Sequence, residues 1–156
     1  MRAIPLIAAA VFCAGAVPAT AAEPDFDGFR ACVAEAEAAT VTSTFHHCTA
    51  ALAVHCGDER TAADAVACIA AARGAVEARI EDGVAALSAA SGDRAEEIRW
   101  LLADGRGAGD SSCAMMASRD AAAEVAVGQR AVNASFCELI VSGDVYALLL
   151  RLEGER

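Results

Sequence analysis

The chain reads as a small all-α domain, a disulfide-stapled bundle of about five helices, and three observations predict it. No stretch shows the sustained period-two alternation of a half-buried strand. Apolar residues recur instead at helical spacings, most clearly in Ala65, Cys68, Ile69, Ala72, Val76, Ile80, Val84 and Leu87. Six of the seven cysteines lie beyond an N-terminal leader: Cys32, Cys48, Cys56, Cys68, Cys113 and Cys137. An even number in an exported chain points to disulfides.

The leader sets the compartment. Met1-Arg2 is a short positive start, Ala3 to Val17 an apolar segment, and Pro18 to Ala22 a small-residue cleavage region before Glu23. Residues 1–22 therefore read as a secretory signal peptide cut near Ala21 or Ala22, which makes the mature protein periplasmic or secreted. Its apolar run is short and poor in large side chains, and nothing later approaches about 18 uninterrupted apolar residues, so no membrane insertion is expected after cleavage. Cys13 follows Val11-Phe12 rather than a small residue, which argues against lipid attachment, and it leaves with the leader. Residues 23–156 then form a single domain.

From Glu23 the helices follow in order. Asp25 or Asp27 can cap a first helix that runs to about Ala39 and places Phe29, Cys32, Val33 and Ala36 on one face. Thr40-Val41-Thr42-Ser43 breaks it, because β-branched and hydroxyl residues favour caps and turns. A second helix carries Phe45, Cys48, Leu52 and then His55 or Cys56 inward, with Gly57 as its stop. Thr61 with Asp64 resembles a capping box for the third and longest helix. Arg73, Glu77 and Glu81 mark its wet side, and Ser91-Gly92-Asp93 ends it. The fourth helix opens with Asp93, Glu96 and Glu97 at the positive end of its dipole and carries Ile98, Leu101 and Leu102. Gly105, Gly107 and Gly109 predict a kink or loop before helix resumes near Ser111. A linker is expected over residues 121–128, then a last helix with Val132, Phe136, Cys137, Leu139 and Ile140, nicked at Ser142-Gly143-Asp144.

Helix geometry constrains the cysteines. Eight residues along one helix rise about 12 Å, beyond the roughly 7 Å Cα separation a disulfide tolerates, so Cys48 and Cys56 cannot pair with each other. Cys32 and Cys48 flank the turn near Thr40, and Cys56 and Cys68 flank the next, giving two stapled hairpins, Cys32–Cys48 and Cys56–Cys68. Cys113 is left with Cys137. The core is largely alanine, valine and leucine, and at about 25 cal/mol per Å² such small side chains contribute less on burial than a leucine-rich core would. A staple closing a loop of about fifteen residues offsets that with roughly 3 kcal/mol.

The formal net charge is −10, and every basic residue apart from histidine is arginine. Loss of Arg2 with the leader takes it from −10 to −11. An acidic surface argues against nucleic acid or anionic lipid as a partner and makes a basic protein the more plausible one, its bland reading being acidity for solubility alone.

The spacing Cys48-x7-Cys56-x11-Cys68, a long helix, and then Cys113 and Cys137 resembles the exported bacterial proteins that carry the LprI-type lysozyme inhibitor domain. The likeness covers most of the mature chain. In that family a Thr shortly before a cysteine opens a helix that continues through Trp-Asp, Leu-Asn and Tyr. Thr61 and Cys68 occupy those places here, followed by Val76-Glu77, Ile80-Glu81 and Val84, which keep the apolar register and change the polar residues. A second family signature sets a Trp eight residues, and an Arg-Asp four and three residues, before a cysteine. Before Cys113 stand Gly105, Gly109 and Asp110, with Trp100 farther upstream, so the chain resembles a diverged member. The resemblance implies a small periplasmic helical domain that binds and inhibits a lysozyme.

For such contact the glycine-rich segment with Asp104, Arg106 and Asp110 is the first candidate surface, its bland reading being an ordinary kinked turn. Glu77 and Glu81, beside Asp82, form a second, its bland reading a solvated helix face. His46, His47 and His55 cluster in sequence, and the pairs His47-Cys48 and His55-Cys56 offer an alternative function, periplasmic binding of copper or zinc. Against it, residues eight apart on a helix do not share an ion, and an oxidised cysteine does not ligate as thiolate. No metal and no cofactor is therefore assigned. His47 with Cys48 as a nucleophile pair would need a free, activated thiolate. Gly-x-Ser-x-Gly, phosphate-binding glycine loops, His-Glu-x-x-His and haem-attachment motifs do not occur, so no enzymatic activity is expected.

Overall fold

The computed structural model describes residues 23–38, 45–59, 61–92 and 95–154, except the side chains of residues 37, 38, 45, 46 and 91. The leader, the Thr40–Ser43 break, Asp93 and the His46 side chain fall outside those limits. Among the described residues there is no strand. The elements are α1 (Phe26–Ala38), α2 (Phe45–Leu52), a 3-10 turn (Val54–Asp58), α3 (Ala62–Ser91), α4 (Ala95–Ala122) and α5 (Val127–Gly154).

The ends of these helices follow from local chemistry. Asp25 starts α1, its Oδ1 accepting from the Gly28 amide at 2.8 Å. Thr61 caps α3, its hydroxyl oxygen accepting from the Asp64 amide at 3.1 Å while its O–H donates to the Asp64 carboxylate at 2.6 Å. Gly92, at φ +53°, ends α3 in a backbone region that disfavours a side chain.

Four expectations need correction. The second helix does not continue to Cys56: α2 stops at Leu52, Ala53 turns the chain, and the 3-10 turn contains His55, Cys56 and Gly57. Glu59, at φ −69° and ψ 139°, returns the chain to extended backbone, so Gly57 is not the stop. The break lets Cys56 leave the direction of Cys48 and meet Cys68. The glycine-rich stretch is not a loop either, because α4 runs unbroken from Ala95 to Ala122. The reason lies in packing. A Cβ at position 109 would stand 2.7 Å from both methyl carbons of Val141, so glycine lets α4 approach α5 at that level. Finally, α5 is not nicked at Ser142–Asp144. Gly143 marks a close crossing, where a Cβ would come within 2.9 Å of the Thr49 hydroxyl on α2. The linker is also shorter than expected, α5 beginning at Val127.

The fold is built around α5, whose Leu139, Val145, Tyr146, Ala147 and Leu149 are buried. Along it lie α3, contributing Ile69, Ala72, Val76, Ile80 and Leu87, and α4, contributing Ile98 and Leu102. The α1–α2 hairpin closes the remaining side with Phe26, Phe29, Val33, Cys48 and Leu52. Phe29 stacks on Tyr146 with ring centroids 5.6 Å apart, and Phe26 meets the same ring edge-on at 5.9 Å. Arg30 donates to the Tyr146 hydroxyl from Nη2 at 3.0 Å. Three disulfides complete the bundle: Cys32–Cys48, Cys56–Cys68 and Cys113–Cys137, with Cα separations of 5.5, 5.6 and 5.7 Å. The first joins α1 to α2, the second joins the 3-10 turn to α3, and the third joins α4 to α5. Among the described residues no helix is long and apolar enough to cross a membrane.

Candidate functional site

Of the five residues singled out for partner contact, two turn inward and pair with each other. Glu77 sits mid-way along α3, and Arg106 reaches it from the inner side of α4. Arg106 Nη1 donates to one Glu77 carboxylate oxygen at 2.9 Å and Nη2 to the other at 2.6 Å. This fork-to-fork arrangement matches the planar guanidinium to the carboxylate. The Ser142 hydroxyl, buried on α5, donates to the same carboxylate at 2.5 Å. A second ion pair, Arg73 on α3 with Glu138 on α5, flanks the first.

Glu77 is thus not on the wet side of α3, as its spacing suggests. It joins three helices. The Arg106 hydrogen bonds hold its carboxyl below the usual carboxylate range, with partial burial opposing them and the Ser142 bond and the Arg73 charge adding to them. Arg106 is raised correspondingly by Glu77. These residues line a depression of about 380 Å³ together with Asp110, Glu138 and Val141. A carboxylate that already accepts from two partners, and stays anionic at neutral pH, is a clamp rather than a proton-transfer group. Sequence reading missed Arg73 as a partner of Glu138, and it missed Ser142. The available signal was the i,i+4 spacing of Glu138 and Ser142 on one helix, matched by Arg73 and Glu77 on another.

The other three candidates separate. Asp104 and Glu81 are exposed on α4 and α3. Asp110 lies at the edge of the depression, close enough to support the Arg106 charge. Arg106 and Asp110, one turn apart, share the depression, whereas Asp104 lies at least about 120° round α4, so the three form no single patch. The outer side of α4 does present an exposed aromatic, Trp100, with 64% of its surface accessible.

His47 and His55 are not assembled into one site. His47 Nε2 lies 3.6 Å from Cys48 Sγ, and Cys32, His47 and Cys48 are the one group of three possible metal ligands that comes together among the described residues. His55 is not part of it. Both sulfurs are joined to each other, so in the oxidised protein neither offers a thiolate.

No protein-family model, curated protein or solved structure matches the chain.

Proposed function

We propose that this is an exported binding protein of the lysozyme-inhibitor kind, an LprI-like envelope or periplasmic protein that acts by contact with a basic protein and not by catalysis. The observation that supports this best is the charge: a net −10 over the whole chain, −11 once Arg2 leaves with the leader, on a helical bundle held by three disulfides. Acidic charge of this size steers a cationic partner and raises its rate of encounter, while a cross-linked scaffold limits the entropy lost on docking. The leader and the oxidised cysteines agree with a place outside the cytoplasm. In the test, oxidised protein comprising residues 23–156 is added to several lysozyme types at low ionic strength. Inhibition that weakens as salt screens the charges is the expected result. No inhibition, together with no binding heat by calorimetry, overturns the proposal.

A second reading, binding of copper or zinc, is supported by the grouping of Cys32, His47 and Cys48. It requires reduction of the Cys32–Cys48 bond. A thiol count on unreduced exported protein tests it: several free thiols with bound metal would place this reading first, and none would remove cysteine ligation.

A further inference from the structure

Helix α4 has two faces. Its inner face puts Ile98, Leu102 and Arg106 against α3 and α5. At about 100° per residue, Glu96, Asp104, Gly107, Ser111 and Met115 all fall within about 60° of Trp100 on the opposite side, and all six are exposed. Trp100 and Met115 are two of the four large apolar side chains exposed among the described residues, with 64% and 63% of their surface accessible. Fifteen residues separate them, a rise of about 22 Å, and the positions between are small or acidic. None of the three arginines of α4 lies on this strip: Arg99 and Arg119 are about 100° from its centre, and Arg106 is turned inward to Glu77.

Tryptophan is the side chain most enriched where proteins meet, and an isolated one in water forgoes the burial of roughly 150–250 Å². Here it stands one turn from a carboxylate on either side, Glu96 before it and Asp104 after it. Glu96 also lies in the first turn, where the helix dipole favours it, but Asp104 is two turns farther on and needs another reason. An indole face between two carboxylates suits an arginine or lysine: the ring receives the cation over its face, and the carboxylates receive its neighbours.

We infer that the outer face of α4, centred on Trp100 with Glu96 and Asp104, is the docking surface, and that its occupant is a cationic segment of a basic protein. The inference rests on the proposed binding function and specifies its contact surface. Because Trp100 is the sole tryptophan, its emission reports the site directly. Oxidised protein comprising residues 23–156 is titrated with an oligo-arginine peptide lacking tryptophan, and in parallel its affinity for a lysozyme is measured by calorimetry.

The expected result is saturable quenching of Trp100 emission by oligo-arginine, abolished by salt and not reproduced by oligo-glutamate. Trp100→Ala, with an unchanged circular dichroism spectrum, weakens lysozyme binding about tenfold or more, and Glu96→Gln with Asp104→Asn reduces the salt dependence more than neutralising two carboxylates elsewhere on the surface. Quenching by the peptide without any lysozyme binding sustains the surface and removes the lysozyme reading. Lysozyme binding that Trp100→Ala leaves intact overturns the surface and leaves the lysozyme reading standing. A saturable emission shift on concentrating the protein alone assigns the face to a second copy and overturns the inference.

Discussion

Two alanine substitutions, two residues apart, separate the continuous α4 from a glycine loop. Position 107 faces open space, with nothing within 4 Å of an added Cβ, so Gly107→Ala should report helix propensity alone. In an exposed helix interior that is about 0.8–1.0 kcal/mol of stabilisation. For a domain of this size it raises the melting midpoint by about 3–4 °C. Position 109 offers the same propensity gain, but its Cβ would meet both Val141 methyl carbons at 2.7 Å. Forcing a methyl into such a packed contact costs about 1–3 kcal/mol, so Gly109→Ala should be neutral to destabilising, by up to about 2 kcal/mol. Thermal unfolding of the oxidised protein, followed by far-ultraviolet circular dichroism, measures both. Adding Val141→Ala to Gly109→Ala should recover part of the propensity gain by removing the clash. Destabilisation by Gly107→Ala would refute the helix at this point, and equal stabilisation at both positions would refute the close approach of α4 to α5.

The Glu77–Arg106 clamp predicts a coupling of about 1 kcal/mol in a double-mutant cycle of Glu77→Ala and Arg106→Ala, since the pair is partly exposed and solvent reduces its worth. Additive single effects would contradict it. The clamp also sets a pH dependence. The folded carboxyl lies below its unfolded value, so its contribution is complete above about pH 4.3 and fades as pH falls through the lowered folded value; the gap between wild type and Glu77→Ala should close over that window. Thr61→Ala removes the acceptor of the Asp64 amide and should cost about 1 kcal/mol in chemical denaturation. Replacing Cys113 and Cys137 by alanine opens a loop of 24 residues. It should cost about 3.5 kcal/mol on the chain-entropy model; a loss under about 1 kcal/mol would mean that α4 and α5 are held by packing alone.

What the sequence makes legible is what local chemistry decides. The all-α class, the Thr61 start and the Gly92 end of α3 follow from periodicity and from residues acting on their own backbone. The three cysteine pairs follow from the turns between helices, which are local; the rise that separates Cys48 from Cys56 assumes one continuous helix, whereas α2 stops at Leu52 and a turn parts them. Gly105, Gly107 and Gly109 mislead because propensity treats them as weak helix positions, while the value of Gly109 lies across the bundle at Val141. Gly143 misleads in the same way, its partner being Thr49. Glu77 reads as a solvated face because its neighbours on α3 are charged, yet its partners lie 29 and 65 residues away. Trp100 stands out in sequence only as the sole tryptophan; that its helix turns it outward is settled by the residues that α4 buries, Ile98 and Leu102.

Non-reducing peptide mapping by mass spectrometry, on protein recovered from the exported fraction, reads both the cross-links and the mature N-terminus. The chain should begin at Ala22 or Glu23, and its peptides should remain joined as Cys32 with Cys48, Cys56 with Cys68, and Cys113 with Cys137. An uncleaved leader, free thiols at these six positions, or a different set of pairs would contradict an exported, disulfide-stapled bundle.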